Sequence, residues 1–102
     1  MLAKKHEYNN QIILAICDKE HLGKTFEDGK LSFTASKHFY GGDNVLEEEL
    51  LELLKEASSV NLFGNKCVDL FIREGLINER NVILIKGIKH AQIYNIENRW
   101  AK

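Results

Sequence analysis

The residues of this chain that could do chemistry are few: two cysteines, four histidines, a glycine–lysine–threonine triplet, a glycine-flanked aromatic pair and a polar stripe near the C-terminus. Gly23-Lys24-Thr25 has the form in which a phosphate-binding loop ends, but that loop also needs a glycine five positions before Gly23, a preceding strand and a following helix. Asp18 stands where the glycine should be, and Phe26 to Gly29 leads toward a strand, so the triplet reads as an ordinary turn. Cys17 and His90 would be the natural nucleophile–base pair, which requires an accessible thiolate of lowered pKa. Cys17 instead closes an apolar run, and the neighbouring Asp18 disfavours a thiolate. His6, His21, His38 and His90 are dispersed, with no H-x3–5-H spacing and no Cys/His cluster, so no metal site is expected. The acid run Glu47–Glu49 belongs to a solvated helical face and offers no pair of carboxylates for glycosidase-type acid–base work. The reading is no catalytic residue, no metal and no cofactor.

Binding chemistry has better candidates. In Phe39-Tyr40-Gly41-Gly42, two adjacent aromatics are hard to bury together in a short loop, and the glycine pair allows close backbone approach. A helix N-terminus follows, whose free amides can hold an anion, although Asp43 and the glutamates from Glu47 would repel one. His90, Gln92 and Tyr94 share one face of a strand by their alternation. Lys86 and Lys89 lie beside them. The competing structural readings are a routine glycine-led helix entry for the first segment and the wet face of a half-buried strand for the second.

These side chains must be positioned by a small framework. A chain of 102 residues fits one domain, and its apolar fraction of 44% supports one core. The longest apolar runs, Ile12–Cys17 and Val82–Ile85, are too short to span a bilayer, and Met1-Leu2-Ala3-Lys4-Lys5 leads into no apolar signal region. Two cysteines fifty positions apart in apolar settings read as buried, reduced thiols. The expected location is the cytoplasm. A net charge of −1 argues against generic duplex binding. The charge is uneven, with nine acids and four bases in 41–80 but four bases and one acid in 81–102. A basic C-terminal surface permits an RNA or ribonucleoprotein partner.

Proline is absent, so glycine and asparagine punctuate the chain. Ala3–Tyr8 reads as an edge strand, Asn9-Asn10 as a tight hairpin turn, and Gln11–Asp18 as a central strand apolar on both faces. Lys19–Gly29 is a polar loop, and Leu31, Phe33 and Ala35 alternate as a half-buried strand. Asn44 is the expected cap of a first helix with Glu47 in a capping-box position. Leu46, Leu50, Leu53, Leu54 and Ala57 form its buried stripe. Val60, Phe63, Cys67, Leu70 and Phe71 recur at helical spacing and predict a second helix after Ser58-Ser59. It would carry Gly64 inside, at a cost of about 1 kcal/mol, and end in a Schellman motif at Gly75-Leu76. Asn81–Lys86 and Lys89–Ile96 form a second hairpin around Gly87-Ile88. The expected fold class is α+β, a mostly antiparallel sheet of about five short strands with a two-helix pair packed on one face. A single domain would cover residues 1–97, with 98–102 a loose tail. Ile12, Leu14, Ile16, Cys17, Leu50, Leu53, Phe63, Cys67, Leu70, Phe71, Val82 and Leu84 form the expected core.

Six stretches together resemble an archaeal family of small uncharacterised proteins, domain of unknown function 424. They are Ala15-Ile16-Cys17-Asp18, Leu22-Gly23-Lys24-Thr25-Phe26, Phe39-Tyr40-Gly41-Gly42, Asn61-Leu62-Phe63-Gly64, Arg73-Glu74-Gly75-Leu76-Ile77 and His90-Ala91-Gln92, in order and with sensible spacing. The resemblance implies a cytosolic archaeal α+β protein and supplies no catalytic residues. It departs at Lys89, where the family often carries proline, which leaves the turn presenting His90 less rigid.

The function expected from the residues is a non-enzymatic binding module whose partner is RNA or a ribonucleoprotein. Its surface would comprise Phe39, Tyr40, Gly41, Gly42, Lys86, Lys89, His90 and Gln92, with Tyr40 stacking on a base and the two lysines meeting phosphates. The alternatives are a small-molecule ligand-binding domain or enzyme with Tyr40, His90 and Gln92 converging on a cleft, and a protein–protein adaptor using the helix pair.

Overall fold

The computed structural model describes residues 1–94. The element order is β1 (Leu2–Tyr8), β2 (Gln11–Cys17), β3 (Thr25–Asp28), β4 (Leu31–Thr34), α1 (Lys37–Tyr40), β5 (Asp43–Asn44), α2 (Glu47–Leu54), β6 (Ser59–Phe63), α3 (Asn65–Arg73), β7 (Ile83–Ile85) and β8 (Ile88–Ile93), with single 3-10 turns at Lys19–His21 and Glu79–Asn81. Six strands form one sheet in the order β5-β1-β2-β6-β8-β7, and β3 and β4 form a separate hairpin. The fold is mixed α+β, and the main sheet is antiparallel except for the β2–β6 pair. Among the described residues there are three α-helices rather than the expected pair.

The first hairpin turns where the sequence placed it, on Asn9-Asn10, whereas the second turns on Lys86-Gly87, one residue before the expected Gly87-Ile88, because Ile88 already pairs with Ile85. Asn9 and Asn10 both adopt positive φ (49° and 63°), and Lys86 and Gly87 do the same (54° and 77°). Two successive residues in that conformation match the right-handed twist of the flanking strands. α3 ends as expected, with the Leu76 N–H donating to the Phe71 carbonyl (2.8 Å) and the Gly75 N–H to that of Ile72 (3.0 Å). The expected strand over Lys89–Ile96 is present as far as Ile93; its last residues and the 98–102 tail lie outside the described residues.

The main correction concerns Val60–Phe63. This segment is strand β6, not the start of a helix, and it runs parallel to β2 with Leu14 beside Val60 and Ile16 beside Leu62. Parallel pairing needs a crossover connection, here the whole of residues 18–58. Ser58 is a clamp rather than a helix break: its N–H donates to the Ile12 carbonyl (2.8 Å) and its hydroxyl accepts from the Ile12 N–H (3.1 Å). α2 begins two residues later than its proposed Asn44 cap would give, because Asn44 is instead paired with Leu2 in β5. Glu49, not Glu47, reaches back to the first free amide, accepting from the Leu46 N–H at 2.9 Å.

Both faces of the sheet are covered, but unequally. On one face Leu14, Ile16, Val60, Leu62, Ala91 and Ile93 pack with Leu50 and Leu54 of α2 and Cys67, Val68, Leu70 and Phe71 of α3. On the other, Ala15, Cys17, Phe63 and Ile85 pack with Ala35, Tyr40, Phe26 and Phe33, supplied by the β3–β4 hairpin and α1. Of the expected core, Ile12, Leu53 and Val82 are half-buried, and Leu84 is 61% exposed at the sheet edge.

Candidate functional site

The strand alternation sorts the sequence candidates by face. Lys4, Ala15, Asn61 and Gln92 are cross-strand neighbours on β1, β2, β6 and β8, and Leu2, Cys17, Phe63, His90 and Ile83 form the next row. Both rows lie on the face under α1 and the hairpin. The second row is sealed by Phe33, whose ring centroid is 4.5 Å from that of Phe63 and 5.4 Å from that of His90.

Tyr40 and His90 are brought to this face but not to solvent. Tyr40 is 2% exposed, contrary to the reading of Tyr40 as a stacking platform, because the single turn of α1 turns it inward over Ala15. Its hydroxyl donates to Asn61 Oδ1, and burial raises its pKa. Phe39, half-buried, stacks on His6 at 4.9 Å and 14°. His90 is 6% exposed. Its Nδ1 meets the Leu62 carbonyl at 2.8 Å, which fixes the proton on Nδ1 and leaves Nε2 to accept from the Gln92 amide at 3.2 Å. Burial holds the imidazole pKa below its ordinary value, with the carbonyl acting weakly in the opposite direction. Tyr40–Asn61 and His90–Gln92 are therefore two side-chain couples on adjacent strands, and Asn61 faces Gln92 directly.

The other sequence candidates fall elsewhere. Gly42 sits at the far edge, where an added Cβ would stand 1.9 Å from the Ala3 carbonyl oxygen; close backbone approach is its role. Gly41 caps α1, its N–H donating to the Lys37 carbonyl at 2.9 Å. Lys89 alternates to the opposite face, where its ammonium is 2.6 Å from Asp69 of α3. Lys86 lies in the β7–β8 turn, its N–H donating to Asp28 at 2.8 Å. Neither lysine joins the Tyr40–Gln92 neighbourhood: Lys89 leaves β8 on the opposite face from His90 and Gln92, and Lys86 stays in the turn against Asp28.

The reactive candidates are tied into the framework. Cys17 and His90 flank Phe63 across two strand spacings, about 9.5 Å. The Cys17 thiol is pushed up to about 12, first by burial and then by Asp18 and Glu20. Asp18, 2% exposed, accepts from the Lys66 N–H (2.8 Å) and the Cys67 N–H (3.0 Å), so the N-terminus of α3 is filled by the chain's own carboxylate. Gly64 makes this possible: it has φ +132°, and a Cβ there would lie 2.3 Å from Asp18 Cγ. Ligand atoms of Asp18, Glu20 and His21 come within 4.8 Å of one another. Both Asp18 oxygens are already engaged, however, and Lys66 stands 3.6 Å from Glu20. Gly23-Lys24-Thr25 runs into strand β3, with Gly23 held at φ +80° against Lys37.

What remains open is half of the hairpin-covered face. Here lie the half-buried His6, Ile13, Ser59 and Asn61, the exposed Gln11 and Gln92, and Tyr8 at 74% exposure. Tyr94, 68% exposed, follows one step beyond β8 in the same alternation as His90 and Gln92. None of the face positions of β1, β2, β6 and β8 is acidic, and Lys4 sits at the rim. Five glutamates, Glu47, Glu48, Glu49, Glu52 and Glu56, line α2 and its exit on the opposite side, while Glu27 and Asp28 sit on the β3 strand of the hairpin that covers the sealed half. His6, Tyr8, Gln11, Ile13, Ser59 and Asn61 are the members that sequence reasoning missed. Asn61 between Val60 and Leu62 was the available signal, a lone polar residue in an apolar run.

Comparison with known proteins bears on the fold and family. Residues 6–96 match the sequence model of a family described as "Protein of unknown function (DUF424)". The crystal structure of an uncharacterized conserved protein from Methanopyrus kandleri is similar, with a TM-score of 0.79 and 22% identity over 93% of this chain and 90% of that one. No curated protein matches the chain.

Proposed function

The chain belongs to the DUF424 family, whose description gives no activity, and we propose that this member is a non-enzymatic module that binds single-stranded RNA on the open half of its sheet. The observation that carries the reading is a four-strand face that presents Tyr8, Gln11, Asn61, Gln92 and Tyr94 and no carboxylate. Single-stranded bases are bound by stacking on exposed aromatics over a sheet and by hydrogen bonds from side-chain amides to their edges. Tyr8 supplies a ring at one side of the face. Asn61 and Gln92 supply adjacent amides near its centre, and the buried hydroxyl of Tyr40 and imidazole of His90 orient them. With no acid at its strand positions and the α2 glutamates on the other side, the open face itself offers phosphates little repulsion.

Fluorescence anisotropy with labelled single-stranded RNA of mixed sequence tests the proposal. Tyr8→Ala is expected to lose about 1–3 kcal/mol of binding, the usual worth of one base–aromatic stack. Gln92→Ala weakens binding as well, whereas Lys89→Ala, on the other face, leaves it unchanged. Equal effects of Tyr8→Ala and Lys89→Ala, or no salt-sensitive binding at all, contradict the proposal.

A further inference from the structure

β7 is the outermost strand of the main sheet and only three residues long. Its hairpin with β8 turns on two residues, so Ile85–Ile88 and Ile83–His90 are the hydrogen-bonded pairs and Leu84–Lys89 lies between them. The backbone of Lys89 agrees: its carbonyl accepts from the Gly64 N–H and its N–H donates to Asn65, both at 2.9 Å and both away from β7. The N–H and C=O of Leu84 consequently point out of the sheet, and among the described residues neither has a hydrogen-bond partner.

Sheet edges are normally blunted by shortness, charge or proline; this one is short but uncharged, and carries Ile83 at 55% and Leu84 at 61% exposure, on opposite faces. A cleft opens beside each of them. On the helical face a space of about 330 Å³ is lined by Ile72, Glu79, Val82, Leu84 and Lys89. On the other, about 290 Å³ is lined by Asn81, Ile83, His90, Ala91 and Gln92.

We infer that the β7 edge docks an extended peptide from a protein partner, which adds as a further strand against Leu84. Side chains of an added strand alternate between faces, so backbone pairing supplies affinity and the two clefts supply selectivity. An apolar side chain enters the cleft at Ile72, Val82 and Leu84, and the next residue, polar, meets the amides of Asn81 and Gln92. Lys86, exposed and directly after the strand, favours a carboxylate on the peptide just beyond the paired segment. A second copy of the chain is the poorer occupant. Three residues of strand span only about 10 Å, whereas a stable dimer needs about 800 Å² from each partner.

Selection of phage-displayed random decapeptides on the intact protein tests this. Enriched peptides are expected to alternate apolar and polar residues, to carry an acid near one end, and to slow hydrogen exchange of the Leu84 amide. Leu84→Pro removes the outward donor while an edge strand tolerates the ring, and it is expected to weaken such peptides by roughly tenfold or more. Leu84→Lys keeps the backbone donor and serves if the proline variant does not fold; it is expected to weaken the same peptides by removing the apolar wall that Leu84 adds to Ile72 and Val82 in a cleft already bordered by Glu79 and Lys89. The inference is overturned if no sequence is enriched, or if the selected peptides leave Leu84 exchange unchanged. It is also overturned if sedimentation velocity finds a dimer that Leu84→Lys dissociates, which would give the edge to a second copy. Neither variant touches the open sheet face, so RNA binding stands or falls separately.

Discussion

His90 shows how a residue can matter to a site without reaching solvent. Its neutral form is the one the structure uses: Nδ1–H donates to Leu62, and Nε2 accepts from Gln92. Because burial depresses its folded pKa, the neutral imidazole contributes stability that is fully present above the unfolded value, about 6.5. That contribution is lost as the pH falls below 6.5 toward the lower folded value. Urea midpoints measured at pH 7.5 and pH 5 are therefore expected to separate more in the wild type than in His90→Asn; equal separations contradict the assignment. Gly64 is the second case. Any Cβ collides with the Asp18 carboxyl group and must tolerate φ +132°. Gly64→Ala is expected to cost about 2–4 kcal/mol in chemical denaturation, combining backbone strain with a damaged helix cap. These residues were visible in the sequence as motifs, but not their roles. The match between a carboxylate at 18 and a glycine at 64 exists only once β2 and β6 lie side by side.

At the scale of elements, the readable parts were those governed by local chemistry. Asn9-Asn10 specifies its hairpin through backbone conformation, Gly75-Leu76 specifies the end of α3, and Gly87 marked the second hairpin although its turn falls on Lys86-Gly87, one residue before the one expected. Val60–Phe63 misled because both faces of β6 are covered, so its period-two pattern is masked and Val60, Phe63 and Cys67 mimic a helical stripe. Gly64, costly inside a helix, marked the true boundary. α1 and β5 are too short for any periodicity to reveal. In α2 the stripe was legible only in part: Leu50 and Leu54 are fully buried and Leu53 only half, while Leu46, expected in the stripe, caps the helix at 65% exposure. Leu54→Ala is accordingly expected to cost about 2–5 kcal/mol and Leu53→Ala distinctly less, measured as shifts in urea midpoint at constant slope.

The parallel β2–β6 pair organises the whole molecule. It brings the sequence stretches around Cys17, Tyr40, Asn61 and His90 onto one face, which one hairpin and one helical turn cover in part. Half the face is therefore sealed by Phe26, Phe33 and Tyr40, and half stays open. The sequence showed the stripe of His90, Gln92 and Tyr94 because it lies on one strand. It hid the pairing of Gln92 with Asn61, and the placing of Tyr8 on the same face, both of which depend on strand order. Amide chemical-shift mapping of the isotopically labelled protein with single-stranded RNA probes the central claim most directly. The account predicts salt-sensitive shifts concentrated at Tyr8, Gln11, Ile13, Asn61 and Gln92, with the side-chain amides of Asn61 and Gln92 among the largest. Shifts that instead cluster on α2 and α3, or no shifts at low salt, would contradict it.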